Sequence, residues 1–167
     1  GSPTSAVFTL ESATYLGIVA PYYSRVVPAF TDIDGDGDQD LFVAVEGQIH
    51  HYLNNGSPTS PSWTHITDTY MGAHALYLAF ADVDGDGDQD LFTHDAFYRN
   101  DGDTGSASWA APVSPAGLGW AGGPLALGDL LDADDRPELL LGGNGGVHLY
   151  QNLGDLPPHI ASTAPAA

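Results

Sequence analysis

The chain has no cysteine and no lysine, a single methionine, and only Arg25, Arg99 and Arg136 as fixed positive charges. Without cysteine there are no disulfides and no thiolate metal sites. With so few basic residues there is no cationic footprint to displace counterions, which excludes nucleic acid as a partner. An anionic membrane surface is excluded on the same ground. No apolar run reaches the length that spans a bilayer, and no charged-then-apolar leader opens the sequence. An extracellular or cell-surface location, favoured by the chemistry below, then implies a mature form or a fragment.

What is present is acid. The 167 residues carry 22 Asp and Glu and a formal net charge of −19, yet 43% of them are hydrophobic. A chain of this size buries roughly 70% of its unfolded surface, so a real core is expected. The acid is clustered: ten carboxylates lie in two short loops, and five more between Asp129 and Glu138. A solubilising coat would be dispersed. Clustering at defined places points to bound cations.

The clusters belong to repeats. "AFTDIDGDGDQDLF" at 29–42 returns as "AFADVDGDGDQDLF" at 79–92, and a decayed copy, "ALGDLLDADDRPELLL", fills 126–141. After each comes Tyr-x-Asn-x-Gly: Tyr52, Asn54 and Gly56, then Tyr98, Asn100 and Gly102, then Tyr150, Asn152 and Gly154. A third element carries Trp63 in one copy and Trp109 in the next, and the N-terminal "GSPTSAVFTL" matches it with Phe8. Segments such as "LFVAV", "IHHYL" and "WTHIT" are β-branched and aromatic and are bounded by Gly, Asn, Asp and Pro, which reads as strands and turns with little helix. Four strands in a period of about 45–50 residues is the pattern of a β-propeller blade. The fold expected is all-β: blades of four antiparallel strands, about three blade equivalents in residues 1–154. Residues 155–167, rich in Pro, Ala, Ser and Thr, read as a tail or linker.

Each intact loop reads D-x-D-G-D-G-D-x-D. Asp32, Asp34, Asp36 and Asp40, and likewise Asp82, Asp84, Asp86 and Asp90, can aim at one centre. The intervening glycines allow the positive φ of a tightly curled backbone. Asp38 and Asp88 are expected to offer backbone carbonyls, their side chains outward or supporting. An all-oxygen cage suits Ca²⁺, whereas Zn²⁺ and Cu²⁺ favour nitrogen or sulfur. An EF-hand shares the opening but needs a bidentate glutamate at its twelfth position. Val43 and Thr93 stand there, and strands flank the loops.

Loop, "DLFVA" strand, Y-x-N-x-G and aromatic strand together resemble the FG-GAP/VCBS repeats of calcium-binding β-propellers, found in integrin α-subunit heads and many bacterial surface proteins. The resemblance runs to about Gly154. It implies that the loop joins the first two strands of a blade and holds Ca²⁺ through the carboxylates named. The third copy departs: both glycines are lost to Ala133 and Asp135, a residue is inserted before Asp132, and Arg136 enters. Its candidate ligands are Asp129, Asp132, Asp134 and Glu138, with Arg136 able to neutralise them instead of a metal.

No motif presents a nucleophile, so an enzyme is not expected. His50 and His51 adjoin on one strand and point to opposite faces, reading as pore-lining or core-edge residues. Tyr52, Tyr98, Tyr150, Trp63 and Trp109 recur at fixed blade positions and read as packing. Tyr22, Tyr23, Tyr70 and Trp120 lie in connections that could form a sugar-stacking surface. Three blades do not close a propeller, and the last lacks a fourth strand that another copy's N-terminal strand could donate, giving a ring or a filament. The expected partners are other copies of the chain or neighbouring repeats of a longer one, with a surface protein or glycan as outside ligand. The expected function is an extracellular Ca²⁺-stabilised module for adhesion or structural assembly; the alternative is a lectin-like carbohydrate-binding propeller.

Overall fold

The computed structural model describes residues 8–22, 24–103, 105–113, 123–131, 134–143, 145–154 and 161–162. Three antiparallel sheets follow one another along the chain. The first comprises β1 (Val26–Thr31), β2 (Asp40–Val45), β3 (Gly47–Asn54) and β4 (Trp63–Thr67) in sequence order, with β5 (His74–Ala75) paired to the start of β3. The second comprises β6 (Leu78–Ala81), β7 (Asp90–Thr93) and β8 (Phe97–Tyr98). Its fourth place is taken by isolated bridges from Trp109 to Asn100 and from Val113 to Phe97. The third comprises β9 (Leu125–Gly128), β10 (Glu138–Gly143), β11 (Gly146–Gln151) and β12 (Ala161–Ser162). The chain is all-β, and among the described residues the sheets do not close into a ring.

Register carries the sequence repeat into space. Phe42 pairs with Ala29, Phe92 with Ala79, and Leu140 with Ala126. Because side chains alternate along a strand, β2 sends Phe42 and Ala44 toward the second sheet, where they pack with Ile49, Leu78 and Leu91. Leu41, Val43 and Val45 face the other way, against Ile18, Ala20, Tyr52 and Trp63. Between the second and third sheets Val83, Phe92, Phe97, Leu139, Leu141 and Tyr150 form another cluster. Sheets packed face to face in this way are the blades expected.

Two expectations change. Phe8 lies in no strand and is 93% exposed. The tail is not simply a linker either: Ala161 and Ser162 pair with Gln151 and Tyr150 on the otherwise free edge of β11. That edge offers unpaired backbone groups, which draw in whatever chain can reach them.

The connectors into the first two blades share a device. Tyr15–Gly17 and Tyr70–Gly72 are 3-10 turns with Leu16 (φ 56°) and Met71 (φ 55°) in the left-handed region, each followed by a glycine that takes the same conformation freely. The turns aim both tyrosines back over the blade they lead into. The Trp63 indole N–H donates to the Tyr15 hydroxyl (2.6 Å), and that of Trp109 to the Tyr70 hydroxyl (3.2 Å). Connector and fourth strand are thereby latched. A double-mutant cycle of Trp109→Phe with Tyr70→Phe, read by urea denaturation, is expected to give a coupling of about 1 kcal/mol. A coupling of zero would mean that the two rings only pack.

Candidate metal centres

The first intact loop joins β1 to β2, the second β6 to β7, as expected for a blade. In the first, Gly35 (φ 69°) and Gly37 (φ 91°) curl the backbone, and Gly85 (φ 79°) and Gly87 (φ 98°) repeat it in the second. The curl lets the Gly37 N–H donate to Asp32 Oδ2 (3.0 Å) and the Asp38 N–H to Asp36 Oδ1 (2.9 Å). In the second loop the Gly85 and Gly87 N–H groups donate to Asp82 (2.7 and 2.9 Å), and the Asp88 N–H to Asp86 (2.9 Å). Asp32, Asp34 and Asp36 each bring a carboxylate oxygen within 4.8 Å of the others, and so do Asp82, Asp84 and Asp86.

Three of these carboxylates keep an oxygen that the protein does not satisfy. Asp32 Oδ1, Asp34 Oδ1 and Asp84 Oδ1 are shut off from solvent with no hydrogen-bond partner. A buried carboxylate oxygen without a donor is costly, and three converging carboxylates repel one another. The donor set therefore fits a hard cation bound by oxygen. Burial first, then Asp86, raises the pKa of Asp84. Burial first, then Asp36, Asp32 and Asp34, raises that of Asp38.

Asp40 and Asp90 do something different from their neighbours. Asp40 Oδ2 accepts the Ile33 N–H (3.1 Å) and Oδ1 the Asn54 N–H (2.8 Å). Asp90 repeats this with Val83 (2.9 Å) and Asn100 (2.8 Å). Each carboxylate clamps the start of its loop to the end of the third strand. Burial drives Asp90 up to about 7 against the pull of these two N–H donors. Asp38 and Asp88, for which side chains outward or supporting were expected, are buried residues, at 6% and 9% exposure. The two loops border a cleft of about 430 Å³ lined by Asp32, Gly35, Gln39, Asp88 and Asp103.

The Tyr-x-Asn-x-Gly motif extends the clamp. Asn54 Oδ1 accepts the N–H groups of Gly56 (3.1 Å) and Ser62 (2.9 Å); Asn100 Oδ1 accepts those of Gly102 (3.2 Å) and Ser108 (2.8 Å). A Cβ at Gly56 would meet Ser60 O at 2.3 Å, and one at Gly102 would meet Ser106 O at 2.2 Å. The glycine is required by close approach.

The third loop keeps only the loop half of the clamp, because Glu138 Oε1 is buried without a partner. Gly128 pairs with Glu138 as Thr31 does with Asp40, which confirms one inserted residue. Glu138 Oε2 accepts the Leu130 and Leu131 N–H groups (2.7 and 3.1 Å), its extra methylene reaching across the longer loop. The Arg136 N–H donates to Asp134 Oδ1 (3.0 Å), and Asp135 (φ 64°) stands where Gly37 stands. Asp132 lies outside the described residues. Among the described ones no third set of three carboxylates converges. The Arg136 guanidinium packs on Gly154 and comes only to 3.9 Å from Asp134.

Of the proposed sugar-stacking surface, Tyr22 is exposed, while Tyr70 is packed between Phe42, His51 and Trp109. Tyr23 and Trp120 lie outside the described residues. Tyr70 is thus a latch and not a platform, because its hydroxyl is engaged by Trp109. His51 sits inside the core and His50 beside Asp68 (3.0 Å). Sequence reading missed the tyrosine latches, although "TYLG" and "TYMG" repeat visibly.

Residues 32–93 match the family model of the FG-GAP-like repeat. No curated protein and no solved structure matches the chain.

Proposed function

The chain carries an FG-GAP-like repeat over residues 32–93, and from that premise we propose that it is an extracellular, Ca²⁺-stabilised blade module for adhesion or structural assembly that stacks on further copies of itself. The observation that carries the metal is the set of buried, unpartnered oxygens on Asp32, Asp34 and Asp84. Asp32, Asp34 and Asp36 hold one ion and Asp82, Asp84 and Asp86 the other, with backbone carbonyls and water completing each shell. The ion neutralises the loop and joins the first two strands of its blade. Its work is structural, not catalytic.

Self-assembly is supported by the two outward sheets. Phe80 packs on Phe42 of the preceding sheet (ring centroids 4.7 Å apart), whereas its repeat counterpart Phe30 is 56% exposed. At the other end, Val147 takes the place of core Ile49 and is 71% exposed. Apolar faces of this kind mark interaction surfaces. The third sheet of one copy, presenting Leu140 and Val147, fits the first sheet of the next, presenting Phe30, as Phe42 and Ile49 fit Phe80 within the chain. Such a head-to-tail contact makes a ring or a filament.

Light scattering and thermal unfolding in millimolar Ca²⁺ and in EGTA test both parts. Wild type is expected to associate and to melt higher with Ca²⁺. Phe30→Ser is expected to be monomeric with the same Ca²⁺-dependent rise. A stable monomer indifferent to EGTA would refute the reading.

A further inference from the structure

At the other end of β7, a strand length of roughly 13 Å from the carboxylate loop, three metal-type side chains meet. We propose that His74, His94 and Asp95 form a second kind of metal centre, selective for a late first-row divalent cation, zinc foremost. His74 comes from β5, in the connector out of the first blade; His94 and Asp95 come from the turn between β7 and β8. One ligand atom from each lies within 4.8 Å of the others. His74 Nδ1 is 3.9 Å from Asp95 Oδ2, His94 Nδ1 is 3.7 Å from Asp95 Oδ1, and the imidazole centroids are 5.1 Å apart.

The surroundings orient all three. Gly47 leaves the space that the His74 ring fills: a Cβ there would meet its Nε2 at 2.5 Å. That nitrogen therefore faces Gly47, and Nδ1 faces the cluster. The buried Thr93 hydroxyl donates to Asp95 Oδ1 (2.8 Å), a support of the kind that fixes a ligating carboxylate. His94 is the enclosed member, at 12% side-chain exposure, and its Nδ1 accepts the Leu76 N–H (3.1 Å). An ion on that nitrogen takes the lone pair and releases the Leu76 amide.

The repeat template does not ask for these residues. Alignment on the Tyr-x-Gly connector puts Val19 where His74 stands; alignment on Asp40 and Asp90 puts Ala44 and Val45 where His94 and Asp95 stand. In the third repeat the last two are Gly142 and Gly143. Departure from the template at all three positions, in two separate segments that meet in space, is what a site grafted onto one blade junction would produce. Two imidazoles and a carboxylate suit Zn²⁺, Ni²⁺ or Cu²⁺ and not Ca²⁺, which prefers oxygen alone. Three protein ligands leave the fourth tetrahedral position to water.

The test is a calorimetric Zn²⁺ titration of the whole chain in millimolar Ca²⁺, which keeps the aspartate loops on their own ion, with the Leu76 amide followed by NMR. The expected result is one saturable zinc site and a selective change at the Leu76 amide. His94→Ala and His74→Val restore the first repeat's residues, so folding should persist, as far-ultraviolet circular dichroism would verify. Each should weaken zinc by at least about tenfold, the lower range for disturbing a metal site. Asp68→Asn controls for the nearby His50–Asp68–His65 group (3.0 and 2.8 Å) and should change nothing. No saturable site, binding that survives both histidine replacements, or loss of binding in Asp68→Asn would each overturn the proposal.

Discussion

Asp90→Ala is expected to lower stability in saturating Ca²⁺ by about 3 kcal/mol, while Asp84→Asn, six residues earlier in the same loop, lowers it by only about 1 kcal/mol. The contrast follows from what each carboxylate touches. Asp90 is wholly buried, and its two oxygens satisfy the Val83 and Asn100 N–H groups. Removing it strands two buried donors, each worth about 1–3 kcal/mol. Asp84 Oδ1 has no donor in the protein, and the isosteric amide leaves the other oxygen in place, so the replacement removes chiefly the linkage to the ion, on the order of 1 kcal/mol for a site filled about tenfold above its dissociation constant. In EGTA the two should diverge further. Asp90→Ala remains destabilising, whereas Asp84→Asn becomes neutral or stabilising, because burial and Asp86 already oppose its charge. Urea denaturation of both variants with and without Ca²⁺ decides it. If Asp90→Ala loses stability only when Ca²⁺ is present, Asp90 is a ligand and not a clamp.

Much of this was legible in the sequence because a repeat reports its own constraints. Three copies of a strand–loop–strand block fix which residues are interchangeable, and the D-x-D-G-D-G-D-x-D spacing points to the loop carboxylates, three of which converge in each intact copy. The same spacing hides the division of labour within it. Nothing about Asp90 as a residue type separates it from Asp84; only the fold reveals that both oxygens of one take backbone amides while the other keeps an oxygen without a partner. Glu138 makes the point in reverse. As a degenerate ligand it looks like decay, but its Oε2 takes the loop amides as Asp40 Oδ2 does, while Oε1 is left buried without a partner, so half of the clamp persists. The junction of His74 with His94 and Asp95 was illegible for a different reason: its members lie in separate segments and belong to no repeated motif. Edge pairing was also beyond the pattern, since Ala161 and Ser162 have no strand signature and are recruited by the free edge of β11.

His51→Phe is expected to remove an acid sensitivity that the native blade carries. His51 is buried on β3, stacked on Phe42 at 4.3 Å and 4° and edge-on to Tyr70 at 5.0 Å. Neither ring nitrogen has a hydrogen-bond partner. Burial, with His65 adding to it, depresses its pKa from 6.5 to about 4. In the unfolded chain the imidazole takes a proton as pH falls through 6.5; in the folded protein it does not until about 4. Between those values the unfolded state binds more protons, so this contribution is present in full above pH 6.5 and drains away on acidification. The whole loss is about 3 kcal/mol, at 1.36 kcal/mol per pKa unit. Asp90 opposes it in apo protein. A carboxyl raised from 3.8 to about 7 makes the folded state the better proton binder in that window, so its contribution grows as pH falls. The wild-type profile is therefore a difference of two slopes and shows neither cleanly. Subtracting the wild-type profile from that of His51→Phe cancels Asp90 and isolates the histidine. The variant's advantage should widen by about 3 kcal/mol between neutral pH and pH 4, near the lower end of the window. A phenyl ring suits the same apolar slot between Phe42 and Tyr70, so the variant should be at least as stable at neutral pH as the native protein. An advantage that stays constant with pH would mean that His51 is protonated or hydrogen-bonded in the folded blade, and that the stacked, unpartnered imidazole is not its working state.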